Sequence, residues 1–271
     1  MGRPEANEAS LYADPALYDI LYTPGTAAEV DALERIERRY ANGPLRRNRL
    51  WFEPACGTGR YLRVAEGRGR RVAGFDLDER QIAYARGRLR CPARHLFAAD
   101  MEDFSAAYEQ ADLPAGGVTF AFNPVNTLRH LGSDAAFARH LTQMADVMAP
   151  GGLYIVGLSL VNYDWLFPDE DTWQGTRGRC QVTQLVNYLP PEPGTSNARR
   201  EQVISHLTVN RPRGEEHFDD CYDLHCCNRR QWRRVLARTP ASWLGSCDAF
   251  GEVVEDGALA YQLEVLRFRN G

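Results

Sequence analysis

The stretch Leu50-Trp51-Phe52-Glu53-Pro54-Ala55-Cys56-Gly57-Thr58-Gly59-Arg60-Tyr61-Leu62 limits the folding choices most. It begins apolar, like a short buried strand. It breaks at Gly57-Thr58-Gly59, and helix-compatible sequence follows from Arg60. A strand feeding a glycine turn that opens a helix is a place to cradle a small molecule. Glycine admits dihedrals closed to other residues, and no side chain stands between backbone and ligand. Two glycines so spaced also occur where a strand merely joins a helix, so the neighbouring chain has to decide.

The neighbouring chain alternates. Before the turn, Ala27 to Tyr40 places Val30, Leu33, Ile36 and Glu37, Tyr40 at helical spacing, and Asn42-Gly43-Pro44 stops it. After it, Arg71 to Asp76 reads as a strand. Asp78 then caps a helix running from Glu79 to Leu89. Asp76 therefore ends a strand about 20 residues past the turn, the offset at which a strand–helix–strand unit places an acid to bond a ribose diol. His95 to Asp100 reads as a third strand and Gly117 to Asn123 as a fourth. Ser133 to Met148 is a helix and Leu153 to Leu158 a fifth strand. Such alternation predicts a parallel sheet covered on both faces, with ligands beyond the carboxyl ends of its strands. Cys56 to Gly59, Asp76, Asp100 and Asn123 to Asn126 all fall at that edge.

Beyond Leu158 the pattern changes. Asn162-Tyr163-Asp164-Trp165-Leu166-Phe167-Pro168 is an aromatic loop. Strand-like runs follow from Gln181 to Tyr188, Gln202 to Val209 and His217 to His225, separated by proline- and glycine-bearing turns. Strands joined in this way pair antiparallel. Asn228 to Arg238 reads as a helix capped by Asn228, and Leu259 to Phe268 as the last strand. At the other end, the tyrosine-rich segment from Leu11 to Pro24 is broken by Pro15 and Pro24. It reads either as a segment packed on the domain through its aromatics or as a flap with Tyr12, Tyr18 or Tyr22 facing a pocket.

The 271 residues suffice for one large domain or two modest ones. The net charge of −4 argues against nucleic acid as a partner. Lysine is absent, and the arginines are scattered among acids as a solvated surface. Seven cysteines, an odd number, and a start without an apolar signal segment argue for a reducing cytoplasm rather than a disulfide framework. Cys221, His225, Cys226 and Cys227 lie close together. Adjacent cysteines fit no common ligand spacing, so the group reads as buried free thiols in a strand and no metal is expected. No apolar run is long enough to span a membrane.

The motifs together resemble the class I S-adenosylmethionine-dependent methyltransferases. Glu53-Pro54-Ala55-Cys56-Gly57-Thr58-Gly59-Arg60 is similar to their first motif. Phe75-Asp76-Leu77-Asp78 is similar to their ribose-binding position, and Ala99-Asp100-Met101 to their adenine-binding position. Ala149-Pro150-Gly151-Gly152 is similar to the turn before their fifth strand. The resemblance implies a Rossmann-like, doubly wound α/β fold with a mostly parallel seven-stranded sheet. It implies one domain over 1–271, with an N-terminal cap over 1–45 and an antiparallel insert over about 159–225. It also implies S-adenosylmethionine as cofactor. Backbone at Ala55, Cys56, Gly57 and Gly59 would approach its methionine part, and Glu53 its ammonium. Asp76 and Leu77 would take the ribose side, Asp100 and Met101 the adenine, and Asn123 would line the same edge.

The antiparallel insert and tyrosine-bearing N-terminus also resemble small-molecule members of the family, including sugar N-methyltransferases. Asn126-Thr127-Leu128-Arg129-His130-Leu131 is similar to their stretch that carries a histidine near the acceptor. His130 is thus the candidate general base, or else a helix-start histidine bonded to backbone. Tyr12, Tyr18, Tyr22, Asn126, Asn162, Tyr163 and Trp165 are candidates for the acceptor pocket. Asn123-Pro124-Val125-Asn126 begins like the motif of nucleobase amino-methyltransferases but lacks the second proline and the aromatic, which argues against a DNA or protein-amide acceptor. The expected activity is in-line methyl transfer to nitrogen or oxygen of a small molecule, by a monomer or homodimer. Two other readings stand beside it: a non-catalytic protein that binds the same cofactor, and a nicotinamide oxidoreductase. Against the second, Leu62 stands where a dinucleotide fingerprint needs its third glycine.

Overall fold

The computed structural model describes residues 11–42 and 49–268, the side chain of Tyr12 excepted. Gly43 and Pro44, expected to stop the first long helix, lie outside the described residues. In chain order, α1 (Pro15–Tyr22) and α2 (Thr26–Tyr40) precede β1 (Leu50–Pro54), α3 (Arg60–Gly67), β2 (Arg71–Asp76) and α4 (Glu79–Arg86). Then come β3 (Leu96–Ala98), α5 (Ser105–Gln110), β4 (Val118–Asn123), α6 (Asp134–Val147) and β5 (Met148–Ser159). Four strands follow: β6 (Asp169–Arg177), β7 (Cys180–Leu189), β8 (Arg200–Arg211) and β9 (Gly214–His225). The chain ends with α7 (Arg229–Leu236), β10 (Ala241–Cys247), β11 (Val253–Val254) and β12 (Tyr261–Phe268). No helix among the described residues is long and apolar enough to cross a membrane. These elements form two compact units. One holds Ala27–Val161 and the chain from Cys227 on; the other holds the chain up to Thr26 and Asn162–Cys226.

The first unit is built on a sheet of order β11-β10-β12-β5-β4-β1-β2-β3. β1 to β5 run parallel, and β12, β10 and β11 are added antiparallel. Eight strands stand where seven were expected. The extra one is the two-residue β11, paired with β10 at Ser246↔Val254 and Cys247↔Val253. β1 is buried along its whole length, as a central parallel strand must be. Successive side chains alternate faces, so Phe52 joins Phe75, Phe104 and Tyr108 on one side while Trp51 joins Phe120, Phe122 and Leu62 on the other. Burying each such ring contributes roughly 1.5–3 kcal/mol. The second face is covered by α2 through Val30, Leu33 and Ile36, and the first by α6 through Phe137, Leu141 and Met144. α6 starts at the expected cap, Ser133, whose hydroxyl accepts from Ala136 N at 3.1 Å. α7 starts at Asn228, which forms a reciprocal capping box with Gln231.

The second unit is an antiparallel sheet of order β6-β7-β8-β9. The sequence reading missed β6, whose residues are exposed except Gly175. Pairing with β7, from Asp169↔Tyr188 to Arg177↔Cys180, makes it a strand. Pro15 does not break the N-terminal segment: it occupies the first turn of α1, where a missing N–H costs nothing, and the Asp14 carboxylate caps Ala16 N and Leu17 N at 2.9 and 3.3 Å. α1 packs Leu17, Ile20 and Leu21 on Val182, Leu207 and Val209. Gly175 permits this contact, because a Cβ there would lie 2.0 Å from the Ile20 carbonyl oxygen. The buried polar groups pair off. Asp19 binds Arg177 at 2.5 Å and accepts from the Thr23 hydroxyl at 3.0 Å. The Tyr22 hydroxyl donates to Gln184 Oε1 at 2.6 Å, and Gln184 Nε2 donates to Ser205 at 2.8 Å. All seven cysteines are free. Cys226 and Cys227 are buried as expected, but Cys221 is exposed on β9 because strand alternation turns it outward.

Candidate cofactor site

β1 is flanked by β2 on one side and β4 on the other, so the chain reverses its direction of travel across the sheet at β1. The carboxyl ends of β1 and β4 therefore frame a crevice of the kind in which doubly wound sheets bind ligands. Glu53 is the last residue but one of β1, and Asn123 ends β4. Both are buried, at 4% and 1% exposure. The Asn123 amide donates to the Pro54 carbonyl at 2.9 Å, which ties the two strand ends together. Glu53 Oε2, Asn123 Oδ1 and the hydroxyl of Thr58 are all buried without a hydrogen-bond partner. A buried unpaired carboxylate oxygen costs several kcal/mol unless something pairs with it. Burial raises the Glu53 pKa well above the carboxylate range, while the Arg60 guanidinium pulls it back. Arg60 is itself buried, stacks on Tyr61 and is held by Glu29.

The turn is set by backbone. Ala55, Gly57 and Gly59 have φ of 51°, 52° and 70°, and Gly59 opens α3 with no side-chain cap. Gly57 N donates to Asp76 Oδ2 at 2.7 Å, and Asp78 N donates to Asp76 Oδ1 at 3.0 Å. Turn and acid are thus one assembly. A carboxylate has about four lone-pair sites, so Asp76 keeps capacity for further donors. Burial raises its pKa against these two N–H bonds. The missing third glycine has a counterpart across the interface: a Cβ on Gly74 of β2 would lie 2.7 Å from the Glu53 carbonyl and 2.9 Å from Leu62 Cδ1. Close helix–strand packing is kept with the glycine on the strand, so Leu62 can fill the helix side. Next to Asp76, Leu77 is 61% exposed. Asp100 accepts from Glu102 N at 2.9 Å, and Met101 follows it in the same turn.

After β4 the chain takes a strained turn. Val125 and Asn126 have φ of 60° and 62°, unusual for any non-glycine and more so for a β-branched valine. The Tyr261 hydroxyl accepts from Val125 N at 3.1 Å. Gly157 leaves room for both groups, since its Cβ would lie 2.3 Å from that hydroxyl. The Asn126 amide is spent on β5: Oδ1 accepts from Ser159 N at 2.6 Å and Nδ2 donates to its hydroxyl at 2.9 Å. This turn delivers the 3-10 helix Thr127–His130. The His130 ring meets solvent yet is walled by protein, and those walls together with the Arg129 charge lower its pKa.

The structure brings Glu53, Ala55, Cys56, Gly57, Gly59, Asp76, Leu77, Asp100, Met101 and Asn123 to one sheet edge. Cys56 is buried with a raised pKa, an inert thiol in the turn. Tyr18, Tyr22, Asn162, Tyr163 and Trp165 belong to the antiparallel unit. There the Tyr22 hydroxyl is committed to Gln184, and the Tyr163 hydroxyl donates to the Cys226 carbonyl at 3.4 Å. Asn162 and Trp165 are exposed, while the Tyr12 side chain lies outside the described residues. Sequence reasoning missed Thr58, Arg60, Gly74 and Tyr261. Only Thr58, between the two glycines, had a local signal.

Comparison with known proteins agrees with this geometry. A family model described as a methyltransferase domain matches residues 52–152, from β1 into β5. The dTDP-3-amino-3,4,6-trideoxy-alpha-D-glucopyranose N,N-dimethyltransferase of Streptomyces venezuelae is 30% identical over 178 residues, 63% of this chain. The matched region is 66% of that enzyme, just under two thirds of it. Among solved structures, the sugar N-methyltransferase KedS8 from Streptoalloteichus superposes with a TM-score of 0.72 at 20% identity, covering 100% of this chain and 98% of that one. DesVI of Streptomyces venezuelae gives 0.69 at 18% identity, covering 98% and 100%. The last two share the fold; the family model and the curated relative carry the assignment. With the turn, its paired acid and the unpaired Glu53 oxygen at the edge where that model lies, residues 52–152 form a methyltransferase domain, and the fold around it is that of solved sugar N-methyltransferases.

Proposed function

We propose that the protein methylates an amino nitrogen of a small, sugar-like acceptor. Two observations support this reading: the buried, unpartnered Glu53 oxygen, and the likeness to an enzyme named for dimethylating an amino sugar. The residues fit the cofactor. Glu53 Oε2 would accept from its ammonium, Asp76 from its ribose hydroxyls and Asp100 from its adenine amino group. When bound, S-adenosylmethionine supplies a methyl group on a sulfonium centre. The chain's own task is to align the acceptor nitrogen with that centre and to keep water out. A strong base is not required if the amine arrives neutral. His130, with its lowered pKa, is neutral near pH 7 and would accept a hydrogen bond from the amine N–H, directing its lone pair.

The test is calorimetric titration of S-adenosylmethionine into wild type and Asp76→Ala, followed by mass spectrometry with a panel of amino-deoxysugar nucleotides and their hydroxyl counterparts. We expect affinity to fall about 100-fold in Asp76→Ala, the loss of two hydrogen bonds to a charged group. Methylation of the amino compounds alone is also expected. Equal heats for both proteins, or a product only with the hydroxyl series, would sink the proposal.

A further inference from the structure

One helix holds the whole turn that follows β3. Three side chains of α6 reach residues 101–105. Arg139 Nε donates to Glu102 Oε2 at 2.8 Å. Nδ1 of His140 lies 2.9 Å from the Met101 carbonyl oxygen. Gln143 Oε1 lies 3.1 Å from Phe104 N, 2.8 Å from Ser105 N and 2.5 Å from the Ser105 hydroxyl. Residues 139, 140 and 143 share one helix face by the three- and four-residue spacing. His140 is the member with no freedom. It is fully buried, and its Nε2 lies 2.8 Å from the hydroxyl of Tyr154, itself fully buried on β5.

The chemistry fixes the direction of these bonds. A carbonyl oxygen only accepts, so Nδ1 carries the proton and donates to Met101. Nε2 then bears a lone pair and accepts from the Tyr154 hydroxyl. The chain of bonds Tyr154 O–H to His140 to Met101 carbonyl is therefore neutral and one-directional. Each bond polarises the next. It fixes the Met101–Glu102 peptide by its carbonyl oxygen. Neither residue is needed for packing alone, since phenylalanine would fill either place.

We propose that the Tyr154–His140 pair positions the Met101 peptide so that the turn selects adenine over other purines. This rests on the reading that Asp100 and Met101 face the base. Both residues are positioning residues, since they act through the turn and touch no ligand.

The test uses two product-like ligands, S-adenosylhomocysteine and S-inosylhomocysteine. In inosine a carbonyl acceptor replaces the amino donor, and an N–H replaces the ring acceptor. Wild type should prefer the adenosyl ligand at least tenfold. His140→Phe should lose at least fivefold of that preference, mainly through weaker adenosyl binding. His140→Asn keeps an N–H near the Nδ1 position and should restore the preference to within about twofold. In the ligand-free protein, hydrogen exchange at residues 101–105 should be at least tenfold faster in His140→Phe while β1 is unchanged. Should His140→Phe not fold, Tyr154→Phe deletes one hydroxyl and should show the same exchange change in smaller degree. Unchanged preference in folded His140→Phe, or unchanged exchange in either variant, overturns the proposal. Equal wild-type affinity for the two ligands overturns the adenine reading instead, and the exchange experiment then decides the clamp by itself.

Discussion

The two units handle buried polar groups in opposite ways. In the antiparallel unit, Asp19 is satisfied by Arg177 and Thr23, and Gln184 by Tyr22 and Ser205. Among the described residues, no buried side-chain polar atom there lacks a partner. In the parallel-sheet unit, Glu53 Oε2, Thr58 Oγ1 and Asn123 Oδ1 lack one, and all three lie at the carboxyl ends of β1 and β4. Unpaired atoms alone do not make a site: Trp232 Nε1 on α7 and Arg267 Nε on β12 also lack a partner. What separates the first group is its place at a topological switch point, with a glycine turn whose amide is already bound to an acid. A completed network points to structure, and an incomplete one at a sheet edge points to a ligand.

The contrast can be broken by experiment. The largest effect should come from Gly175→Ala, which forces a methyl group against the Ile20 carbonyl. We expect a loss of about 3 kcal/mol in denaturant unfolding, with cofactor affinity in the folded fraction unchanged. A parallel loss of affinity would show that the two kinds of region are not separable. Acid should act on the other unit with similar size. Burial lowers the His140 pKa from 6.5 to about 4, against the Met101 hydrogen bond. Between these values the unfolded chain binds a proton that the native state refuses. Stability is therefore full above pH 6.5 and falls by about 3 kcal/mol as the pH drops to 4. His140→Phe should flatten that part of the profile.

Glu53→Gln sharpens the comparison most directly. Its folded pKa is raised, so the charge is a net cost to folding above the unfolded carboxylate pKa. The amide should raise stability by about 1 kcal/mol at pH 7 and weaken cofactor binding about tenfold. A residue whose removal stabilises the fold while harming binding is kept for the ligand; loss of both would make Glu53 structural. The smallest effect is expected from Tyr22→Phe, which leaves Gln184 Oε1 unpaired and should cost about 1 kcal/mol in stability. Cofactor affinity should not move. A large rise in acceptor KM in this variant would instead return Tyr22 to the acceptor site.

Much of this was legible from local patterns. The apolar runs Leu50 to Glu53 and Val118 to Asn123 became parallel strands, and their polar residues Glu53 and Asn123 lie at the candidate site. Cap signals at Asp78, Ser133 and Asn228 each started the expected helix. The errors share one cause. β6 and β10 carry acids, serines and glycines, and they are strands because a partner completes their hydrogen bonds. Pro15 looked like a break because its cap, Asp14, accepts only once the helix exists.

From the chain alone follow the alternation of elements, the glycine turn and the acids at strand ends, because each is written in neighbouring residues and in periods of two or 3.6. Gly74 opposite Leu62, Gly175 beneath Ile20, and His140 between Tyr154 and Met101 belong to the folded molecule. Each is a contact between residues far apart in the chain. Its meaning depends on tenths of an ångström and on a direction of hydrogen bonding, and neither is encoded in local spacing.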